Sequence, residues 1–315
     1  MNSVADYLQS EHQTAFSFEV LPPVRGKSID QLFKNIDMLM PFSPSYINIT
    51  THRTEVVYRD LGGGMFRREF ERTRPGTVAV AAALKGRYGI PTVPHIICSG
   101  FSRSELENEL IDLSYLDITD ILVLRGDRTK GIPIGDDEHV HAIDLCRQVN
   151  AFNNGIMLSG NETEPLHNKF TYGVAGYPEK HEEALNIDTD IEYLKNKIDA
   201  GAQYVVTQMF FDNKRYFDFV ERCKKAGINV PIIPGLKPLS SMTQKTLLPK
   251  TFHIDLPMDL ARALQKCKSN DDVKALGIEW TIAQAKELKE ANVPSIHFYS
   301  MNVAASVAEI AKQIF

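Results

Sequence analysis

Cysteine is scarce in this sequence. Its four copies, Cys98, Cys146, Cys223 and Cys267, lie far apart and form no CxxC pair. That argues against a disulfide framework or a zinc knuckle and fits free thiols in a reducing compartment. Long apolar runs are missing as well. No stretch approaches the roughly 18 apolar residues of a membrane span, and the opening MNSVADYLQSEHQTAF has no apolar leader core. The cytoplasm is the expected location. Charge of one sign is also absent: 35 Lys and Arg face 40 Asp and Glu, mixed along the chain, for a net −5. Such a surface offers no footprint for nucleic acid or an acidic membrane. Linkers rich in Gly, Ser or Pro, internal repeats and low-complexity tracts are lacking, so residues 1–315 read as one domain. No GxGxxG follows a strand, and no P-loop, nucleophile elbow or cysteine-based signature occurs.

What is present is alternation. Short β-branched and aromatic runs recur with helical patterns between them, which argues for parallel βα units. The runs are Phe16–Val20, Tyr46–Thr50, Thr92–Ile97, Asp120–Gly126, Thr171–Tyr177, Gln203–Phe210, Pro231–Leu236 and Ser295–Met301. Eight strands with helices between them predict a (β/α)8 barrel, and its usual size of about 250 residues leaves room for extra helices. One such helix is expected before the barrel, at about 3–13. Ser28 and Ser102 precede apolar-periodic segments and read as helix starts. Asn270 or Asp271 is the expected cap of a long helix carrying the only tryptophan, Trp280. The stretch Thr51–Gly89, with LGGGMF at its centre, reads either as a lid or as a plain surface loop.

Side chains alternate faces along a strand. Phe16, Phe18 and Val20 share one face, and Ser17 and Glu19 the other. Ile47 and Ile49 oppose Asn48 and Thr50. Tyr204, Val206, Gln208 and Phe210 share a parity. Polar residues collect at the carboxyl ends: Glu19, Thr50, His95, Arg125, Asp127, Tyr177 and Gln208. Barrel active sites are built at that end. Each also has a bland reading: Glu19 as a loop carboxylate, His95 as a satisfied core histidine, Asp127 as a turn former. His139-Val140-His141 resembles a metal-binding HxH, but it falls where a loop enters a helix and lacks partners at matching spacing.

Read together, FSFEVLPP (Phe16–Pro23), LRGD (Leu124–Asp127), AGYPEKH (Ala175–His181), KIDAGAQYVVTQMFFD (Lys197–Asp212), IPGLKP (Ile233–Pro238) and HFYSMN (His297–Asn302) resemble the single-domain bacterial methylenetetrahydrofolate reductases, in order and in spacing. The resemblance implies an FAD-containing barrel. Its members pass hydride from a reduced nicotinamide, by way of FAD, to 5,10-methylenetetrahydrofolate, giving 5-methyltetrahydrofolate with the two substrates taking turns. It implies that Glu19 is the general acid that opens the substrate's imidazolidine ring, a role needing a partly desolvated carboxyl. Phe16, Phe18 and Leu21 are the residues expected to desolvate it. By the same resemblance Asp127 receives the pterin's aminopyrimidine edge and tunes the flavin. Gln208 also contacts the pterin, and Met242 stands where some members place a phenylalanine that packs on substrate. The implied FAD positions are Thr50, His95, Arg125, Gly126, Asp127, Ala142, Tyr177, His181, Asp190 and Lys197. NADH is the first expectation for the donor, with NADPH or a reduced protein carrier as alternatives. Assembly into homo-oligomers is compatible with the resemblance. Competing readings are a flavin-free pterin-binding barrel, such as a methyltransferase or synthase, and a non-catalytic relative that binds folate or a partner.

Overall fold

The structure is a computed structural model. It describes residues 3–10, 13–53, 55–127, 134–301 and 303–315. Eight barrel staves are built from nine parallel strands among these residues. In chain order the strands are β1 (Ala15–Val20), β2 (Tyr46–Ile49), β3 (Glu55–Gly62), β4 (Met65–Glu71), β5 (Thr92–Ile97), β6 (Asp120–Leu124), β7 (Thr171–Gly176), β8 (Tyr204–Thr207), β9 (Ile232–Ile233), β10 (Gly235–Leu236) and β11 (Ser295–Tyr299). β3 and β4 stand apart from the barrel as a two-stranded hairpin. Pro234, which has no N–H to donate, splits the seventh stave into β9 and β10. β9 pairs with β8, and β10 pairs with β11, so the ring closes across the proline. The Pro234 carbonyl accepts the His297 N–H at 3.0 Å, spanning the break.

The helices are α1 (Val4–Gln9), α2 (Asp30–Asp37), α3 (Thr77–Tyr88), α4 (Arg103–Tyr115), α5 (Ala142–Asn153), α6 (Ile187–Asp199), α7 (Asn213–Lys225), α8 (Gln244–Phe252), α9 (Met258–Lys266), α10 (Asn270–Glu290) and α11 (Ala304–Ile314). None among the described residues is long and apolar enough to cross a membrane. Ser102 caps α4 through a reciprocal bond pair with Glu105. α10 is capped by Ser269 with Asp272, one residue before the expected start. Serine there accepts the Asp272 N–H, so the aspartates that follow fall inside the first turn.

The strand faces sort as alternation demands. Phe16, Phe18, Val20, Ile47, Ile49, Ile96, Val123, Val174, Val205, Leu236 and Phe298 pack outward against the helices. The opposite face lines the lumen. Its floor is apolar: Tyr46, Val93, Leu122, Tyr204, Val206 and Ile233 pack there with Val4, Ala5 and Leu8 of α1. The expected helix at about 3–13 is therefore shorter and plugs the barrel; residues 11 and 12 lie outside the described set. The Val4 N–H donates to the Asp120 carboxylate at 2.8 Å, which also accepts the Thr171 hydroxyl at 2.7 Å.

Two expectations are corrected. Thr51–Gly89 is not a plain loop: it holds the hairpin β3–β4 and the helix α3. Gly63 and Gly64 take φ of +62° and +78° at the hairpin turn, where a mirror-image turn requires positive φ at both positions. Phe210 does not share the lumen with Tyr204 and Val206. β8 ends at Thr207, the alternation lapses, and Phe210 joins the outer core.

The plug makes a stability prediction. Leu8→Ala should cost about 2 kcal/mol or more, as removal of a buried leucine does, read as a lower midpoint in chemical unfolding. An unchanged midpoint would mean that α1 contributes nothing to closing the floor.

Candidate active site

Above the apolar floor the lumen turns polar, because β1, β2, β5 and β11 each present a polar residue inward near their carboxyl ends. Glu19 is the centre of this layer and is only 4% exposed. Its Oε2 lies 4.0 Å from His95 Nε2 and 4.0 Å from His297 Nε2. His297 is fixed from behind by Ser17, whose hydroxyl meets Nδ1 at 3.0 Å and Ser295 at 3.2 Å. Its Nε2 is buried and has no hydrogen-bond partner among the described residues. His95 meets the Asn48 amide at 3.3 Å. The Glu19 backbone carbonyl accepts from the Ser300 hydroxyl at 2.6 Å. Tyr299 donates its hydroxyl to the Thr207 carbonyl at 2.5 Å; burial, with Glu19 adding to it, holds its phenol protonated far above the usual range.

The neighbours of Glu19 are thus histidine, asparagine and serine rather than phenylalanine. Phe16 and Phe18 sit on the opposite face of β1, in the outer core. The expected apolar surround is corrected by the same parity that brought Glu19 inside. Burial itself is what removes water from this carboxyl.

The remaining predicted positions divide into two groups at the same rim. Asp127 follows β6 and is exposed; its backbone carbonyl accepts from Arg53 at 2.7 Å and from the Ser99 hydroxyl at 3.0 Å. His52, on the exposed side of the rim, feels both the Asp127 and Glu19 charges, and partial desolvation with Arg74 lowers its pKa. Gln208 follows β8, and its amide oxygen accepts its neighbour Met209's N–H at 2.9 Å. Met242 is half-buried just before α8, against the satellite core that includes Leu239, Phe211 and Tyr299. Thr50 bonds to the Val20 carbonyl through its hydroxyl at 3.2 Å.

The second group gathers beyond β6 and β7. The rings of Tyr177 and His181 meet edge to face with centroids 4.7 Å apart. The His181 N–H donates to Asp190 at 2.9 Å. Lys197 donates to the Ala175 carbonyl at 2.9 Å; burial lowers its pKa, and Asp190 opposes that shift. Arg125 contacts Glu183 and, at 3.4 Å, Glu182, which also pairs with His253 at 3.0 Å. Gly126 has φ of +80°, and a Cβ there would come within 3.2 Å of Ile97, so glycine suits this turn. Ala142 is the first residue of α5, whose N-terminal amides form a local anion-favouring end. The His139 ring is engaged by Gln148 at 2.6 Å, the His141 backbone N–H donates to Asp144 at 3.2 Å, and among the described residues no cluster of three or more His, Cys, Asp or Glu could hold a metal.

His297 and Tyr299 do not stand out within HFYSMN, nor do His52 and Lys237 within their own segments. The parity of β11 was the available signal for the first two. His52 lies past the end of β2, where no parity applies.

A closed barrel with ionisable residues at the carboxyl rim is the layout that barrel enzymes use. Comparison with known proteins narrows it. A family model described as methylenetetrahydrofolate reductase matches residues 4–315. The Escherichia coli (strain K12) 5,10-methylenetetrahydrofolate reductase is 30% identical over 294 residues, covering 93% of this chain and 88% of that one. Methylenetetrahydrofolate reductase (NADH) 1 of Arabidopsis thaliana is 30% identical over 327 residues, covering 98% of this chain and 50% of its own length. The chain thus spans about half the length of the plant relatives it matches. A Clostridium thermocellum protein of solved structure, described as binding two copies of 5-methyl-5,6,7,8-tetrahydrofolic acid, superposes with a TM-score of 0.63 at 15% identity, covering 98% of both chains. That last likeness speaks for the fold alone. The chain belongs to the methylenetetrahydrofolate reductase family.

The histidine beside Glu19 sets a pH prediction. Burial pushes His95 down to about 4 from 6.5, against the pull of the Glu19 carboxylate. Between those values the unfolded chain binds the extra proton, so this group removes stability as pH falls through that window and has no effect above it. The loss amounts to roughly 3 kcal/mol at the acid end. His95→Gln should flatten the slope of unfolding free energy between pH 7 and pH 4, measured by urea unfolding. An identical slope in both proteins would reject the assignment.

Proposed function

We propose that this chain is a flavin-dependent methylenetetrahydrofolate reductase, with residues 1–315 forming one catalytic domain. The observation that carries the reading is the buried Glu19 carboxyl at the barrel mouth, held between two histidines. A carboxyl taken out of water and facing an open rim is suited to donate a proton rather than to hold a fold together.

FAD fits the residues at hand. The Gly126 turn, the α5 amides at Ala142, and Arg125 and Lys197 supply close backbone approach and positive charge for a pyrophosphate, and His181, whose pKa burial and Arg125 lower, offers a neutral ring nitrogen. Arg125 exchanges its Glu182 and Glu183 contacts for phosphate oxygens in this reading. Asp190 offers a carboxylate for sugar hydroxyls, Tyr177 an apolar face, and Thr50 and His95 polar atoms at the mouth. FAD bound there would supply a two-electron carrier between the two substrates. NADH is the proposed donor, as in the plant relative's name.

The chain's own work is then proton handling and orientation. Glu19 holds a proton and delivers it to N10 of 5,10-methylenetetrahydrofolate. The ring carbon–N10 bond breaks toward that nitrogen, leaving an iminium at N5. Asp127 offers two acceptor oxygens to the donor edge of the pterin, and Gln208 an amide donor and acceptor. Met242 packs beside the substrate. His297 and Ser17 orient around Glu19 from the lumen side.

Purified protein should take up FAD and bleach on anaerobic mixing with NADH. Glu19→Gln should bleach at the same rate yet lose folate turnover by about 100-fold or more, the usual worth of a general acid. Normal folate turnover in that variant would end the assignment of Glu19. Folate binding without flavin uptake would favour a flavin-free pterin barrel.

A further inference from the structure

One buried charge at the rim has no part in the chemistry above. Lys237 follows β10 directly and is only 9% exposed. Strand register places it. Gly235 pairs with His297 and Leu236 with Phe298. Leu236 pairs with Phe298, so Lys237, the next residue along, comes level with Tyr299 at the rim. Tyr299 in turn pairs with Glu19 across β1 and β11. Lys237, Tyr299 and Glu19 therefore form one row across three adjacent staves. Staves lie about 4.8 Å apart, so the row spans about 10 Å between backbones. Among the described residues the Lys237 ammonium makes no hydrogen bond or ion pair. Gly235, two residues earlier on the same stave, is tightly packed: a Cβ there would run into the Thr207 carbonyl oxygen and fall 2.6 Å from the Tyr299 ring, so Tyr299 fills the space below Lys237.

A buried ammonium without a close partner is a stability liability. Proteins keep such groups where function uses them. Burial lowers the Lys237 pKa, and the Glu19 charge opposes that shift, so the two groups sense each other.

We propose that Lys237 is a positioning residue of the folate half-reaction, an ammonium held beside Glu19 to balance the carboxylate that proton donation leaves behind. The inference rests on the reading of Glu19 as proton donor. When the proton passes from the Glu19 carboxyl to N10, the carbon–nitrogen electron pair goes to N10, a positive charge appears at N5 and a negative one stays on Glu19. Tyr299 cannot offset that negative charge, because its hydroxyl is committed to the Thr207 carbonyl. His95 and His297 are each 4.0 Å away, and burial disfavours a proton on His95. Lys237 is the cation in the row.

The test compares Lys237→Met, Lys237→Arg and Glu19→Gln in the FAD-loaded protein. Three readings are taken: the rate of anaerobic NADH bleaching, the kcat and KM of folate turnover, and the melting temperature. Lys237→Met should lower folate kcat by about tenfold or more, with KM and NADH bleaching within about twofold. Its melting temperature should hold or rise, since an unpaired buried charge has been removed. Lys237→Arg should restore most of the folate rate. A purely structural lysine predicts the reverse, a lower melting temperature with both half-reactions falling together, and that result overturns the proposal. Unchanged folate kcat in Lys237→Met, with Glu19→Gln still inactive, also overturns it and leaves the role of Glu19 standing. Normal turnover in Glu19→Gln removes the ground for both.

Discussion

A parallel sheet closed on itself gives every strand two unlike environments, helices outside and a narrow lumen inside. Everything else in this molecule follows from that constraint. Phenylalanine and isoleucine at alternate positions of β1 and β2 go outward and form the continuous core. The residues between them are forced into a space that tolerates only groups with partners. Low in the barrel those are tyrosines and aliphatics packed on α1. Higher up they are Ser17, Asn48, His95 and His297, with Ser17 bonded to His297 and Asn48 to His95. The one carboxyl in that upper layer, Glu19, is held where solvent reaches it only through the rim.

This arrangement explains which parts of the fold were legible. The eight staves could be read because each is a short β-branched run set between helical patterns, and strand starts fell within one residue. Face assignments held wherever the chain was in a ladder. They failed at Phe210, three residues past the end of β8, because period-two reasoning has no force outside a strand. The apolar surround expected for Glu19 failed for a related reason. Adjacent residues in sequence point to opposite faces, so Phe16 and Phe18 could never have been its neighbours. The hairpin was legible in principle from its glycine turn between two β-rich runs, yet its arginines and exposed apolar tip resemble loop composition.

The candidate site was legible to a different degree. Glu19, Asp127 and Gln208 came from ordered motifs and fall at one rim. What was not legible were contacts set by register between distant segments. The pairing of residue 17 with residue 297, and the level shared by Glu19, Tyr299 and Lys237, depend on how β1 and β11 meet across 280 residues of chain. Arg125 gives a further instance. Its motif suggests a phosphate ligand, but carboxylates from the loop after β7 approach it, and only the fold brings residues 182 and 183 to that guanidinium.

The helix that seals the floor has a consequence for traffic. With Val4, Ala5 and Leu8 wedged against the lower lumen, the barrel is a cul-de-sac rather than a tunnel. Whatever comes to rest on Glu19 arrives and departs by the same doorway. Two visitors that need that berth exclude one another by simple occupancy, without any moving part to schedule them.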